Sequence, residues 1–99
     1  MTREELDRIF EDNHDLYLKS KELAPSIMTQ RRDLRAFTLI DNLLPGRSGD
    51  IVSDAQHDMI WLDVNLDELA EVITEEQIQE LIMCGCMVDE DLEGLCMYA

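Results

Sequence analysis

The stretch MIWLDVNLDELAEVITEEQIQELIMCG, residues 59–85, decides the fold that the sequence predicts. Its first six residues, 59–64, include Ile60, Trp61 and Val64, which are residue types that favour strands. In the remainder, leucine and isoleucine recur at helical spacing between glutamates. The helices are expected to cover one face of a small antiparallel sheet that contains this strand, so the chain is predicted to fold as α+β.

Two capping patterns divide the helical part of this stretch. Asn65, with Glu68 three residues later, predicts the start of one short helix. Thr74 and Gln77 form a capping box, in which each side chain bonds the backbone N–H of the other, and predict a second short helix. This second helix should end just before Gly85, because glycine readily adopts the left-handed conformation that stops a helix.

A longer helix is predicted at the N-terminus. Thr2 with Glu5 forms another capping box, and the apolar residues that follow recur at helical spacing. Pro25 restricts the residue before it and ends the pattern. The sequence therefore predicts one helix over about residues 3–23.

A further helix is predicted to begin at a cap on Ser26 or Thr29. Its apolar stripe continues to Pro45 and Gly46, which end it. Two amphipathic helices joined by a short turn bury their stripes against each other. We therefore expect an N-terminal helical hairpin.

The C-terminal end of the chain has the pattern of a β-hairpin. Short apolar runs at 86–88 and 95–98 flank a polar connector at 89–94. Together with the strand at 59–64 they predict a small three-stranded antiparallel sheet, whereas residues 51–57 are ambiguous. With 99 residues, the chain is long enough for one domain, over residues 1–99.

The charge of the chain is distributed very unevenly. All eight basic residues lie in residues 1–47, and residues 48–99 carry fourteen of the 23 acidic residues without one lysine or arginine. The formal net charge of −15 disfavours direct binding to nucleic acid or to an anionic membrane. No signal peptide or apolar run of membrane-spanning length is evident, so we expect a cytoplasmic protein.

This unneutralised charge makes the acidic residues of the second half the candidate site. Carboxylates four residues apart on a helix are neighbours, at a spacing of about 5–6 Å, which approaches that of phosphates along a nucleic-acid strand. A basic protein surface is the partner that such an array fits. The candidate partner-binding residues are Asp63, Asp67, Glu68, Glu71, Glu75, Glu76 and Glu80, with Asp89, Glu90 and Asp91 as a second patch.

The cysteines suggest two alternatives to a binding protein. Cys84, Cys86 and Cys96 could join His57 as zinc ligands, but a Cys-x-Cys spacing is tighter than is usual in zinc sites. A reactive thiolate needs a nearby cation or helix N-terminus, whereas these cysteines lie in an acidic half. We therefore expect buried, reduced thiols, no catalytic residue, no metal, no cofactor and no enzymatic activity.

A calcium loop is a third alternative. Asp89, Asp91, Glu93 and Gly94 match the first half of an EF-hand loop, but the glutamate required at its twelfth position is missing. We expect a solvated hairpin turn instead.

The first half of the chain contains one cluster of basic residues. Arg31, Arg32 and Arg35 lie on a predicted helix, and we expect them to pair with the acidic half, within the molecule or between copies. Pairing between copies would make the protein a self-associating structural or assembly protein.

Several segments resemble small acidic proteins encoded by bacteriophages and prophages. They are RDLRAF at 32–37, PG at 45–46, HD at 57–58, IWLDV at 60–64, ITEEQI at 73–78, CG at 84–85 and LCMY at 95–98. The resemblance implies a phage inhibitor of host defence, such as an anti-CRISPR protein or a DNA mimic. We therefore expect an acidic face that binds the nucleic-acid-binding surface of a host effector, such as a CRISPR-Cas complex, in the bacterial cytoplasm. The alternative is that the self-associating protein described above is a structural or assembly protein of a phage, without an inhibitory role.

Overall fold

The computed structural model describes residues 1–98, without the side chains of residues 27 and 28. Its elements mix helices and strands, which confirms the predicted α+β class. In chain order they are α1 (Arg3–Asp12), α2 (Leu16–Leu23), α3 (Pro25–Met28), α4 (Arg32–Leu43), β1 (Val52–Gln56), β2 (Met59–Leu62), α5 (Leu66–Val72), α6 (Glu75–Met83), β3 (Cys86–Asp89) and β4 (Gly94–Tyr98).

The strands form one antiparallel sheet in the order β1-β2-β4-β3. The three predicted strands are present, and β2 is two residues shorter than predicted. The sheet has four strands rather than three, because the ambiguous segment forms β1. This strand was difficult to predict because most of its residues are exposed and polar, so it lacks the alternation of a half-buried strand.

The register of the sheet separates a core face from an outer face. On the core face, Ile60 lies opposite Met97, which in turn lies opposite Cys86. On the outer face, Trp61 lies opposite Cys96. The two faces arise because successive side chains of a strand point to opposite sides of the sheet. The core face packs with α1, α5 and α6 around one cluster of buried residues.

The predicted helix over residues 3–23 is two helices. α1 ends at Asp12, and the side-chain amide of Asn13 donates a hydrogen bond to the carbonyl of Ile9 at 2.8 Å. Such local bonds compete with the helical backbone pattern. The chain then turns before α2, which ends ahead of Pro25 as predicted.

The second predicted helix also begins later than expected, and the helical hairpin is not formed as predicted. The cap at Ser26 or Thr29 is wrong, because α3 forms a separate turn and the N-cap of α4 is Arg31, without a side-chain cap. α4 ends before Pro45, as predicted. α1 and α2 pack chiefly on α6 rather than on α4, since the apolar face of α6 buries their stripes.

The capping predictions at Thr2, Asn65 and Thr74 are confirmed. The Thr2 hydroxyl accepts a hydrogen bond from the backbone N–H of Glu5, and both halves of that capping box are present. Thr74 and Gln77 form the second box, which starts α6. Gly85 follows α6 with a φ of +98°, the conformation that the sequence predicts for it.

Candidate partner-binding surface

Most of the predicted partner-binding carboxylates face solvent. Glu80 and Asp89 are partly buried, and the other eight are exposed. The helical members lie on two short helices joined by Ile73 and Thr74. Asn65 and Thr74 fix the starts of these helices, so the capping residues determine where the acidic side chains emerge.

Arginines of the first half neutralise part of this surface. Arg3 lies 3.4 Å from Asp67, between guanidinium nitrogen and carboxylate oxygen. Arg47 pairs with Glu68. These contacts lie at the surface, where an ion pair contributes at most about 1 kcal/mol to stability.

The basic cluster also acts within the molecule. Arg35 pairs with Glu80, which confirms for this residue the predicted pairing with the acidic half. The guanidinium of Arg32 lies 5.0 Å from the centre of the Tyr17 ring, in a cation–π contact. Two of the three clustered arginines are therefore engaged by side chains of the same chain.

Four exposed helix-region carboxylates have no ion pair with any residue in the part of the chain that the structure describes. We call this set the open carboxylates, and its members are Asp63, Glu71, Glu75 and Glu76. Glu75 and Glu76 lie in the first turn of α6, where the positive end of the helix dipole favours negative charge. The helix therefore stabilises these two carboxylates without hiding them from a partner.

The second patch is divided between surface and structure. Glu90 and Asp91 are exposed at the tip of the β3–β4 hairpin. Asp89 instead accepts a hydrogen bond from the Trp61 indole N–H at 2.8 Å, and its other oxygen accepts the backbone N–H groups of Asp91 and Leu92. These bonds, the Trp61 bond first, lower the pKa of the Asp89 carboxyl. The Asp89 carboxylate is therefore already hydrogen-bonded to groups of its own chain.

A shallow depression of about 370 Å³ joins the start of α5 to the hairpin. Asp63 and Asp67 line it together with Glu93, which sequence analysis did not select for partner binding. Arg3 and Arg47 line the same depression, so it carries both positive and negative groups. No sequence signal placed Glu93 beside α5, because the two are brought together only by the pairing of β2 with β4.

The three cysteines are buried and unsuited to nucleophilic chemistry. Burial raises the pKa of the Cys84 thiol to about 11, and it also raises the pKa of Cys86 and Cys96. All three thiols are therefore protonated at neutral pH. His57 lies in the exposed turn between β1 and β2, and residues 1–98 contain no group of three potential ligands placed to hold a metal ion.

Comparisons of this chain with protein families, with characterised proteins and with solved structures find no match. Within residues 1–98, no helix is both long enough and apolar enough to cross a lipid bilayer.

Proposed function

We propose that this domain binds a basic protein surface through its open carboxylates, and that the surface is a nucleic-acid-binding site of a host defence effector, such as a CRISPR-Cas complex. The protein would then act as a phage-type inhibitor without catalysis. The observation that carries the proposal is that Asp63, Glu71, Glu75 and Glu76 are exposed and form no ion pair with the described residues, in a half of the chain that has no lysine or arginine.

Electrostatics favour such a complex over simple solubility. A magnitude of about 2–8 is sufficient net charge for the solubility of a small domain, and this chain carries −15. Both signs are normally interspersed on a soluble surface, whereas here the acidic half has no lysine or arginine, and among the described residues its ion-pair partners are Arg3, Arg35 and Arg47. A channel lined with lysine and arginine would find partners in the open carboxylates and exclude nucleic acid by competition.

The engagement of Arg32 and Arg35 within the molecule favours this role over head-to-tail assembly. The two functions differ in how they depend on salt. Light scattering at low and high salt distinguishes them, because a self-associating protein grows at low salt while an inhibitor keeps one size.

The decisive experiment compares the wild-type protein with a variant in which the open carboxylates become amides. The substitutions are Asp63→Asn, Glu71→Gln, Glu75→Gln and Glu76→Gln. Each protein is immobilised, proteins are captured from a bacterial lysate, and each captured protein is tested for release of fluorescent duplex DNA or guide RNA. We expect the wild type to capture a nucleic-acid-binding protein and to displace its ligand, and the variant to do so at least about tenfold more weakly.

A control variant separates local charge from total charge. Glu4→Gln, Asp12→Asn, Glu22→Gln and Asp41→Asn remove the same four charges from exposed positions of the first half. This control should behave as the wild type does. Equal loss in both variants, or capture without displacement of nucleic acid, would refute the proposal.

A further inference from the structure

A groove of about 490 Å³ runs along the outer edge of β3. The consecutive residues Cys86, Met87 and Val88 all line it. Because successive side chains of a strand point to opposite faces, a cavity that touches three in a row lies along the edge of the strand. Within residues 1–98, β3 pairs only with β4, so its outward N–H and C=O groups face this groove without a strand partner.

The opposite wall of the groove is apolar. Phe10 of α1 and Tyr17 of α2 contribute aromatic rings, and Tyr98 also lines the groove, with its ring centre 5.0 Å from that of Tyr17. Leu18 lines the same wall with 84% of its surface exposed. Covering such an exposed leucine with an apolar side chain removes apolar surface from water, which favours binding.

The rim of the groove is acidic. Glu11 and Glu90 are exposed, and neither has an ion pair among the described side chains. Asp7 and Asp15 also lie there, but each already pairs with a cation, Arg3 and Lys19 respectively. No lysine or arginine is among the residues that line the groove.

We infer that this groove binds an extended peptide segment of a partner protein, with lysine or arginine beside an apolar side chain, which adds to β3 as a fifth strand. The free edge supplies backbone hydrogen bonds, Leu18 supplies the apolar contact, and Glu11 and Glu90 select for positive charge. The other edge strand, β1, is less suited because most of its residues are exposed and the charged Asp54 lies within it. This site is separate from the open carboxylates and goes beyond the function proposed above.

Three fluorescent heptapeptides test the inference by fluorescence anisotropy at physiological salt. In the first, lysine and valine alternate; in the second, glutamate replaces lysine; in the third, the valines of the first are N-methylated, which blocks backbone pairing. We expect the first peptide to bind, and the other two to bind at least about tenfold more weakly. Hydrogen exchange should show new protection within residues 86–89 when the first peptide is bound. Equal binding of all three peptides would overturn the inference.

Matched variants locate the site. Leu18→Asp and Glu11→Lys should each weaken binding of the lysine peptide about tenfold. Leu23→Asp and Glu22→Lys make the same chemical changes at exposed positions of α2 that do not line the groove, and they should leave binding unchanged.

The two proposals fail separately. The variant with amides at the open carboxylates should bind the lysine peptide as the wild type does, even if it loses capture of a nucleic-acid-binding protein. The groove site would be overturned if the amide variant lost peptide binding while Leu18→Asp bound the peptide fully. That result would leave the proposed role of the open carboxylates intact.

Discussion

The bond between Trp61 and Asp89 connects an acidic residue of the hairpin to the outer face of the sheet. Asp89 was expected to meet a partner, but its oxygens accept three donors of the same chain. Because these donors favour the ionised form, the carboxyl has a lower pKa in the folded than in the unfolded protein. Its contribution to stability is therefore present above the unfolded pKa and is lost as pH falls through the folded pKa.

Acid titration of tryptophan fluorescence tests this bond, since Trp61 is the only tryptophan in the chain. We expect a fluorescence transition with a midpoint below the ordinary pKa of aspartate, reflecting protonation of Asp89. Asp89→Asn keeps one acceptor oxygen but cannot titrate, so the fluorescence transition should disappear. The melting temperature of the variant should also change less between neutral and acidic pH than that of the wild type. An identical titration in the variant would show that another group is responsible.

At the scale of the elements, the sequence predicted those helix starts and ends that depend on interactions between neighbouring residues. The caps at Asn65 and Thr74 and the stop at Gly85 predicted α5 and α6, because each signal acts within one helical turn. The break after α1 was missed because apolar periodicity runs through it, although Asn13 ends the helix. Residues 51–57 were ambiguous because β1 is largely exposed, and its pairing with β2 leaves no pattern in the local sequence.

The capping box of α6 should contribute measurably to stability. Thr74→Ala removes the hydroxyl that accepts the backbone N–H of Gln77, and we expect a loss of about 1 kcal/mol in the free energy of unfolding. Thr74→Ser keeps that acceptor and serves as the control. Urea denaturation measures both, and an alanine variant as stable as the serine variant would contradict the role of the cap.

For the whole molecule, the sequence shows how many charged residues there are but not which carboxylates pair with which arginines. Arg3 meets Asp67, and Arg35 meets Glu80, across large separations along the chain, so no local pattern could distinguish these carboxylates from Glu71 or Glu75. The groove beside β3 was hidden for the same reason, because α1, α2 and a strand near the C-terminus meet only in the folded chain.

Salt should stabilise this protein. We expect the repulsion that accompanies a net charge of −15 to exceed the attraction of the ion pairs among the described residues, since a surface pair contributes at most about 1 kcal/mol. Raising sodium chloride from about 0.01 M to 1 M shortens the screening length from about 30 Å to 3 Å, so the melting temperature should rise. The rise should be smaller in the variant with amides at the open carboxylates. A melting temperature that falls with salt would mean that ion pairs dominate.

The strand order also bears on how the chain reaches its native state. β1 with β2, and β3 with β4, are hairpins that can form from neighbouring residues, whereas β2 and β4 meet only after the intervening α5 and α6 have been looped out. Closing such a loop costs conformational entropy before any contact compensates for it. We expect the union of the two hairpins to set the refolding rate, so that a substitution at the seam, such as Leu62→Ala, slows folding more than one in either turn.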